Sequence, residues 1–442
     1  MISTLGRAFK NADVRKRLLF MLGILIVVRL GSLIPIPGVN TGYFSSLLSS
    51  LGDGNLSYLN AFTGGSFERL SLFALGITPY ITSSIIVQLL TIAIPKLEEM
   101  QREGEDGRKK MERITRFITL GLAIAESVAM AVGFGRQGLI AGYETMSMGH
   151  YVMAIIIVII ALIVGATALM WLGEQITDKG VGNGISIILL FNIIAGVPGD
   201  LAGLFDQFIK GKEAGHVIAA VAIIGGIIIG MILLVCLLSD AERRIPVQYS
   251  QKVVGRRVFG GQSSHIPLKV NTAGVMPVIF ASSIIQFPVI ITQLITRSQP
   301  EWTKYLTASY WFNPDNWIYT IGLAAYVGLI IAFAYFYTSI TFNPLEIADN
   351  LKRGGGVIPG VTPGKATSDY LHAILNRIII VGAIGIAIVA IIPIIFSGIF
   401  GASVSFGGTS LIIIVGVILE TLKQMEAMMR NKHYKGFLSD DN

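Results

Sequence analysis

Apolar residues in this chain gather into runs long enough to cross a bilayer, and polar residues gather between them. A helix needs roughly 20 apolar residues to span about 30 Å of hydrocarbon. Such runs fall at Leu18–Ile36, Ile77–Ile94, Ile114–Phe134, Tyr151–Leu172 and Gly184–Val197, then at Val217–Leu238, Ala273–Ile295, Trp317–Ile340, Ile378–Phe396 and Thr409–Met425. Ten spanning helices are predicted, the shortest closing at Pro198. One further stretch, Ser57–Leu75, is apolar but broken. Gly64-Gly65 weakens it, Glu68-Arg69 lies inside it, and Gly76 and Pro79 interrupt the passage into the next run. It reads as a half-helix. Irregular backbone at membrane depth persists only where protein or a water-filled cavity surrounds it. The break therefore predicts a cavity near the midplane, against the simpler reading of a re-entrant or amphipathic surface segment.

Charge orients the runs. Of the 34 basic residues, Arg69, Arg136, Lys210, Lys212, Arg297 and Lys304 fall on one side or in the half-helix, and Arg29 lies within the first run. The other 27 share the side of the N-terminus. Basic residues accumulate in cytosolic loops, so both termini are expected in the cytosol. Five runs precede the Pro198–Gly215 loop and five follow it. An odd number per half makes the halves (1–200 and 201–442) run in opposite directions, an inverted repeat of the kind found in transport proteins. The repeat rests on topology, because the halves share no convincing sequence identity.

Composition agrees. The chain is 53% hydrophobic and 14% charged, with mean hydropathy +0.69, where a soluble domain carries roughly 25% charged residues. The fold class expected is all-α, a polytopic membrane protein. The single cysteine, Cys236, sits in an apolar run and has no partner for a disulfide within the chain. The basic N-terminal stretch leads straight into a long apolar run without a small-residue cleavage site, so an uncleaved first helix is expected rather than a signal peptide. Two cytosolic loops are long. Residues 239–270 carry six basic residues, and residues 341–376 carry NPLEIADNLKRGGGVIPGVTPGK. Their Gly and Pro content predicts hairpin-like turns protruding from the membrane. The loop Pro95–Arg113, with its mixed EGEDGRKK, reads as a solvated face.

Catalytic chemistry is missing. His150, His216, His265, His372 and His433 are scattered, and no HExxH, GxSxG or Walker motif occurs. GVGNGIS at Gly180–Ser186 matches no phosphate loop and reads as a tight connection between two spans. No catalytic, cofactor-binding or metal-binding residues are assigned, and no enzyme activity is expected. Intramembrane ionisable groups are functional candidates by default. Here they are Glu126 mid-span, Arg29, and Glu420 near a cytosolic end, with no chain of relay residues; a structural contact accounts for Glu126 equally well. Ile77 with Ile81, and Ile185 with Leu189, are i, i+4 pairs after Gly76 and Gly184. Such pairs share a helix face, which by itself means ordinary packing.

Six motifs carry a resemblance. They are IPIPG at Ile34–Gly38, FALGITPYITSSIIVQLL at Phe73–Leu90, MWLGEQITDKGVGNGISII at Met170–Ile188, GQSSHIPLKVNTAGVMPVIFASSI at Gly261–Ile284, FNPLEIADNLK at Phe342–Lys352 and FGGTSLIIIVGV at Phe406–Val417. In this order they make the chain similar, over essentially its whole length, to the SecY family, the channel subunits of protein translocases. The resemblance implies ten spans in two five-helix halves around an hourglass pore, with the half-helix, about 55–70, as a plug on the outer side. Plug residues are then Asn60, Phe62, Gly64, Gly65 and Phe67. It also implies a constriction ring of Ile77, Ile81, Ile185, Leu189, Ile279 and Ile413. A lateral gate follows, with Thr82 and Gln88 on one face and Ser282, Ser283 and Phe287 on the other. Polar groups holding that seam would make Gln88→Leu relax signal-sequence stringency.

The same resemblance implies cytosolic docking of the SecA motor ATPase and the ribosome through Arg256, Arg257, Lys352, Arg353 and Lys365. Thr362 stands where the family has a basic residue, leaving Lys365 or Arg353 to take that role. Small SecE-like and SecG-like membrane subunits are implied partners, along with secretory and membrane polypeptides as substrates and the surrounding membrane lipid. The expected location is the bacterial cytoplasmic (inner) membrane. The expected function is a protein-conducting channel that moves unfolded chains across the membrane and releases membrane helices sideways, with energy supplied by partners. A small-solute secondary transporter built from inverted repeats is the alternative, and an insertase or scaffold without a pore is a third class.

Overall fold

The computed structural model describes residues 6, 9–42, 45–46, 60, 62–140, 142, 146–249, 252–254, 257–259, 263–295, 300–312, 317–400 and 408–435. Every predicted run coincides with a helix. In the first half these are α1 (Ala12–Leu33), α2 (Thr78–Ala93) followed by the short α3 (Pro95–Arg102), α4 (Glu105–Phe134), α5 (Met148–Lys179) and α6 (Gly184–Phe208). The second half begins with α7 (Ala214–Asp240), then four strands, β1 (Glu242–Tyr249), β2 (Lys252–Val254), β3 (Arg257–Phe259) and β4 (Ser263–Lys269). It continues with α8 (Met276–Ile295), α9 (Glu301–Leu306), α10 (Thr320–Thr341), α11 (Pro344–Arg353), β5 (Gly356–Val357), α12 (Lys365–Phe400) and α13 (Gly408–Lys435).

Six stretches among the described residues are long and apolar enough to cross a membrane, or seven if α2 and α3, bent by 109° at Ile94, form one span. The shortfall against ten has local causes. Helix α2 has 16 residues, roughly 24 Å at 1.5 Å per residue, and α1 spends its first turns on Arg15, Lys16 and Arg17. One helix end differs from expectation. Helix α6 runs through Pro198 to Phe208 instead of stopping at Val197. In a lipid setting the helix is the only open-ended way to satisfy backbone groups, so a single missing N–H does not end it. Helix starts follow capping rules. The Asn183 side chain accepts from the Ile185 and Ser186 amides at the start of α6, and Asn343 accepts from Leu345 and Glu346 ahead of α11, with Pro344 in its first turn.

The half-helix is the larger correction. Only Asn60, Phe62 and Thr63 are helical among its described residues, and from Gly64 to Ile77 the chain is a succession of turns with one bridge at Ser71. Left-handed backbone at Gly64, Gly65, Leu70 and Gly76 cannot continue a right-handed helix. Residues 55–59 and 61 of the expected 55–70 segment lie outside the described residues. The turns are fixed at their far end: Ile36 N donates to Leu70 O and Leu72 N to Ile34 O, at 3.1 and 2.9 Å.

The fold is mostly helical, as expected, with a small sheet in the two long loops. Strand β1 pairs antiparallel with β4 (Glu242 opposite Lys269, Gln248 opposite Ser263) and with β5 (Gln248 opposite Val357). The two long loops, 239–270 and 341–376, are therefore joined in one sheet rather than protruding separately. Ile245 and Val247 alternate inward from β1 and pack with Leu268, Leu351, Ile358, Leu371 and Ile374 in a small core of their own. The expected loop Pro95–Arg113 is instead α3 and the first turns of α4, and it is largely exposed, with Lys110–Glu103 at 2.7 Å and Arg108–Glu112 at 3.2 Å. The Glu103 hydrogen bond and charge hold the exposed Lys110 ammonium above its ordinary pKa. Exposed pairs of this kind contribute little to stability.

Candidate functional site

The helices from the two halves meet in one apolar cluster. It contains Ile77, Leu189, Ile279 and Ile413, all buried, with Ile81 and Ile185 packed against it. All six residues predicted to share a constriction are thus brought together from four elements. Ile77 caps α2 and Ile81 lies one turn on. Ile185 and Leu189 are in the first turns of α6, Ile279 is in α8 and Ile413 in α13. Phe62, Phe73, Ile85, Ile188 and Phe280 belong to the same cluster, so it extends above and below those six. Apolar side chains make no directional demand on a passing chain and wet poorly, which is how apolar constrictions gate by dewetting.

Beside this cluster sits the turn segment. Asn60 Nδ2 donates to Glu68 Oε2 at 3.0 Å, and the Glu68 amide donates back to Asn60 Oδ1 at 3.2 Å. Ser45 Oγ donates to the other Glu68 oxygen at 2.9 Å. Phe62 and Phe67 are buried in two different clusters. Two side chains from outside the segment reach its carbonyls. Arg29 of α1 donates to Gly64 O at 2.9 Å, and Asn192 of α6 donates through Nδ2 to Phe62 O at 3.2 Å. Neither contact was assigned from sequence. Arg29 stood out as an intramembrane cation, while Asn192 is a lone amide in LLFNIIAG, three residues after Leu189 and hence on the same face.

The gate-face residues also have settled surroundings. Ser83 and Thr119 share a hydrogen bond that ties α2 to α4. Ser282 and Tyr326 share one at 3.1 Å that ties α8 to α10. Gln88 Nε2 donates at 3.4 Å to Ser84 on its own helix, and its Oε1 is buried with no partner among the described residues. These polar bonds lie within each side. Ser283 is half-buried and Phe287 exposed, beside each other on α8.

Lys352 and Arg353 end α11 and are exposed, as are Thr362 and Lys365. Arg257 begins β3, and Arg256 lies outside the described residues. Among the described residues no group of three or more His, Cys, Asp or Glu side chains is placed to hold a metal.

Comparison with known proteins gives a consistent result. The family model described as SecY matches residues 71–422. The protein translocase subunit SecY of Mycobacterium bovis is 40% identical over 451 residues, covering 99% of this chain and 100% of its own. Among solved structures, a SecY channel whose plug domain stabilises the closed state and maintains a membrane seal matches with TM-score 0.64 at 20% identity, covering 94% of this chain and 93% of its own. The channel of a canine ribosome–channel complex from the endoplasmic reticulum matches with TM-score 0.62 at 18% identity, over 94% of this chain and 93% of that one. At such identities the structural matches speak to the fold, and the full-length relative speaks to the family.

Proposed function

The chain belongs to the SecY family of protein translocase subunits, and from that premise we propose how its own residues make a protein-conducting channel. Unfolded polypeptide passes between the two halves through a constriction formed by Ile77, Ile81, Ile185, Leu189, Ile279 and Ile413. The observation that carries this reading is the convergence of those six side chains, from four helices and both halves, in one apolar cluster. A small-solute transporter would need a specific polar site at the midplane, and this cluster has none.

The turn segment around residues 60–68 acts as the plug. Membrane helices leave sideways between α2/α4 and α8/α10, each pair tied internally by one hydrogen bond. Ten spans in two inverted halves with both termini in the cytosol suit the charge distribution, in the inner membrane of a bacterium. The joined sheet of the two cytosolic loops, with Arg257, Lys352, Arg353 and Lys365, supplies one docking platform for a SecA-type motor or the ribosome. The canine relative in a ribosome–channel complex supports the second partner. SecE-like and SecG-like subunits complete the complex, and energy comes from the partners.

The test uses the lone cysteine. In a Cys236→Ser background, single cysteines at positions 81, 185, 279 or 413 meet a stalled secretory chain that carries its own cysteine. Disulfides from all four positions put the chain through the cluster. Translocation without crosslinks removes the constriction from these residues.

A further inference from the structure

The segment at residues 60–68 carries a closure of its own. Asn60 and Glu68 close it with two side-chain bonds, Gly65 N donates to Asn60 O at 2.9 Å, and Phe67 N donates to Thr63 Oγ1 at 3.1 Å. Its far end is sewn to α1 by the Ile36–Leu70 and Ile34–Leu72 bonds. Besides the Ser45 bond to Glu68, side chains of two spanning helices reach the segment, Arg29 to Gly64 O and Asn192 to Phe62 O. They hold two carbonyls two residues apart, one from α1 and one from α6. Gly64 lies against Asn192 so closely that a Cβ there would stand 3.2 Å from its Cα and carbonyl oxygen. Ser66 Oγ is buried with no partner among the described residues, which leaves the closed position less than fully satisfied.

We propose that Arg29 and Asn192 form a latch that holds this segment shut and couples its release to the constriction. Asn192 is on the same face of α6 as Leu189 and Ile185, so a movement of α6 that widens the constriction withdraws the Asn192 donor from Phe62. The segment then leaves as a unit, because its own Asn60–Glu68 closure survives. Arg29 makes the stronger bond, being a charged donor, and sets the energy scale of the seal. Asn192 carries the signal. The latch rests on the channel reading above.

Two measurements on the full chain, reconstituted with its membrane partners, test it. First, Asn192→Leu removes the donor at similar volume, and Arg29→Gln removes the charge. Each is expected to raise resting ion conductance about tenfold, the factor that one such bond supplies, and to admit secretory chains with defective signals. Arg29→Lys, which keeps a charged donor, recovers most of the seal. Second, Gly64→Cys with Asn192→Cys in a Cys236→Ser background places the thiol-bearing carbons near disulfide range, the built Cβ at Gly64 being 3.3 Å from Asn192 Cβ. Oxidation is expected to block translocation and reduction to restore it.

Unchanged conductance and stringency, or translocation through the oxidised pair, overturns the latch and leaves the channel standing. A pair that does not oxidise at rest overturns it too. If the unmodified protein moves no chain with motor and partners present, the channel reading fails and the latch goes with it.

Discussion

At the scale of single residues, much of the packing depends on side chains that are absent. Gly165 of α5 lies directly on the Leu72 carbonyl, so a Cβ there would overlap it, and the turn segment approaches α5 only because nothing intervenes. Gly165→Ala is expected to cost roughly 1–3 kcal/mol through forced backbone shift, seen as a lower melting temperature in detergent; an unchanged melt would show that the segment does not lie there. Gln88 gives a second prediction, and here the structure changes the argument. A polar bond across the gate would make Gln88→Leu loosen it. Gln88 instead bonds to Ser84 and leaves Oε1 buried and unpaired. Removing an unsatisfied buried carbonyl is neutral or favourable, so Gln88→Leu should leave signal-sequence stringency unchanged or tighter. Relaxed stringency in a secretion assay would mean the amide reaches across in the working channel. The residues of the central cluster were legible only through resemblance, since an i, i+4 isoleucine pair looks the same in any helix. Asn192 was not legible at all, because its partner is a backbone carbonyl 130 positions away.

At the scale of elements, the long helices were readable because lipid imposes a local rule: every backbone group must be satisfied within the segment. The turn segment and the sheet were not, for opposite reasons. Gly64-Gly65 announced a break, but the left-handed Leu70 that extends the turns carries no sequence signal. Strand β1 reads ERRIPVQY, with only Ile245 and Val247 alternating inward, and its second partner β5 is two residues long and about 100 positions away. A sheet assembled from such distant loops leaves no local pattern. The turn segment yields the element-scale prediction. Deleting 55–70 removes the Asn60–Glu68 closure, both latched carbonyls and the Leu70 carbonyl that accepts from Ile36. Resting ion conductance in planar bilayers should rise by more than either latch variant produces alone. Equal conductance with and without the segment would deny it any sealing role.

At the scale of the molecule, the sheet joins two long loops into one surface, on which Lys352, Arg353 and Lys365 are exposed. Only an expectation of orientation and of two halves was legible in the 34 basic residues, because the positive-inside rule sums over the whole chain. The joining of the loops was not, and it bears on docking. Lys352 and Arg353 stand at the end of α11, whose Leu351 is in the same small core as Ile245 and Val247 of β1. A partner that grips one loop therefore pulls on both. Replacing Lys352, Arg353 and Lys365 together with glutamine separates the two candidate partners. If these side chains contact ribosomal RNA phosphates, ribosome affinity falls and the slope of log K against log salt flattens by about 2, at roughly 0.7 per phosphate on single strands. If they contact an acidic motor surface, ribosome binding keeps its slope while motor-driven translocation slows at physiological salt and recovers little at low salt. A triple variant that alters neither would move the docking surface away from α11 and onto the β2–β3 hairpin, where Arg257 begins the second strand.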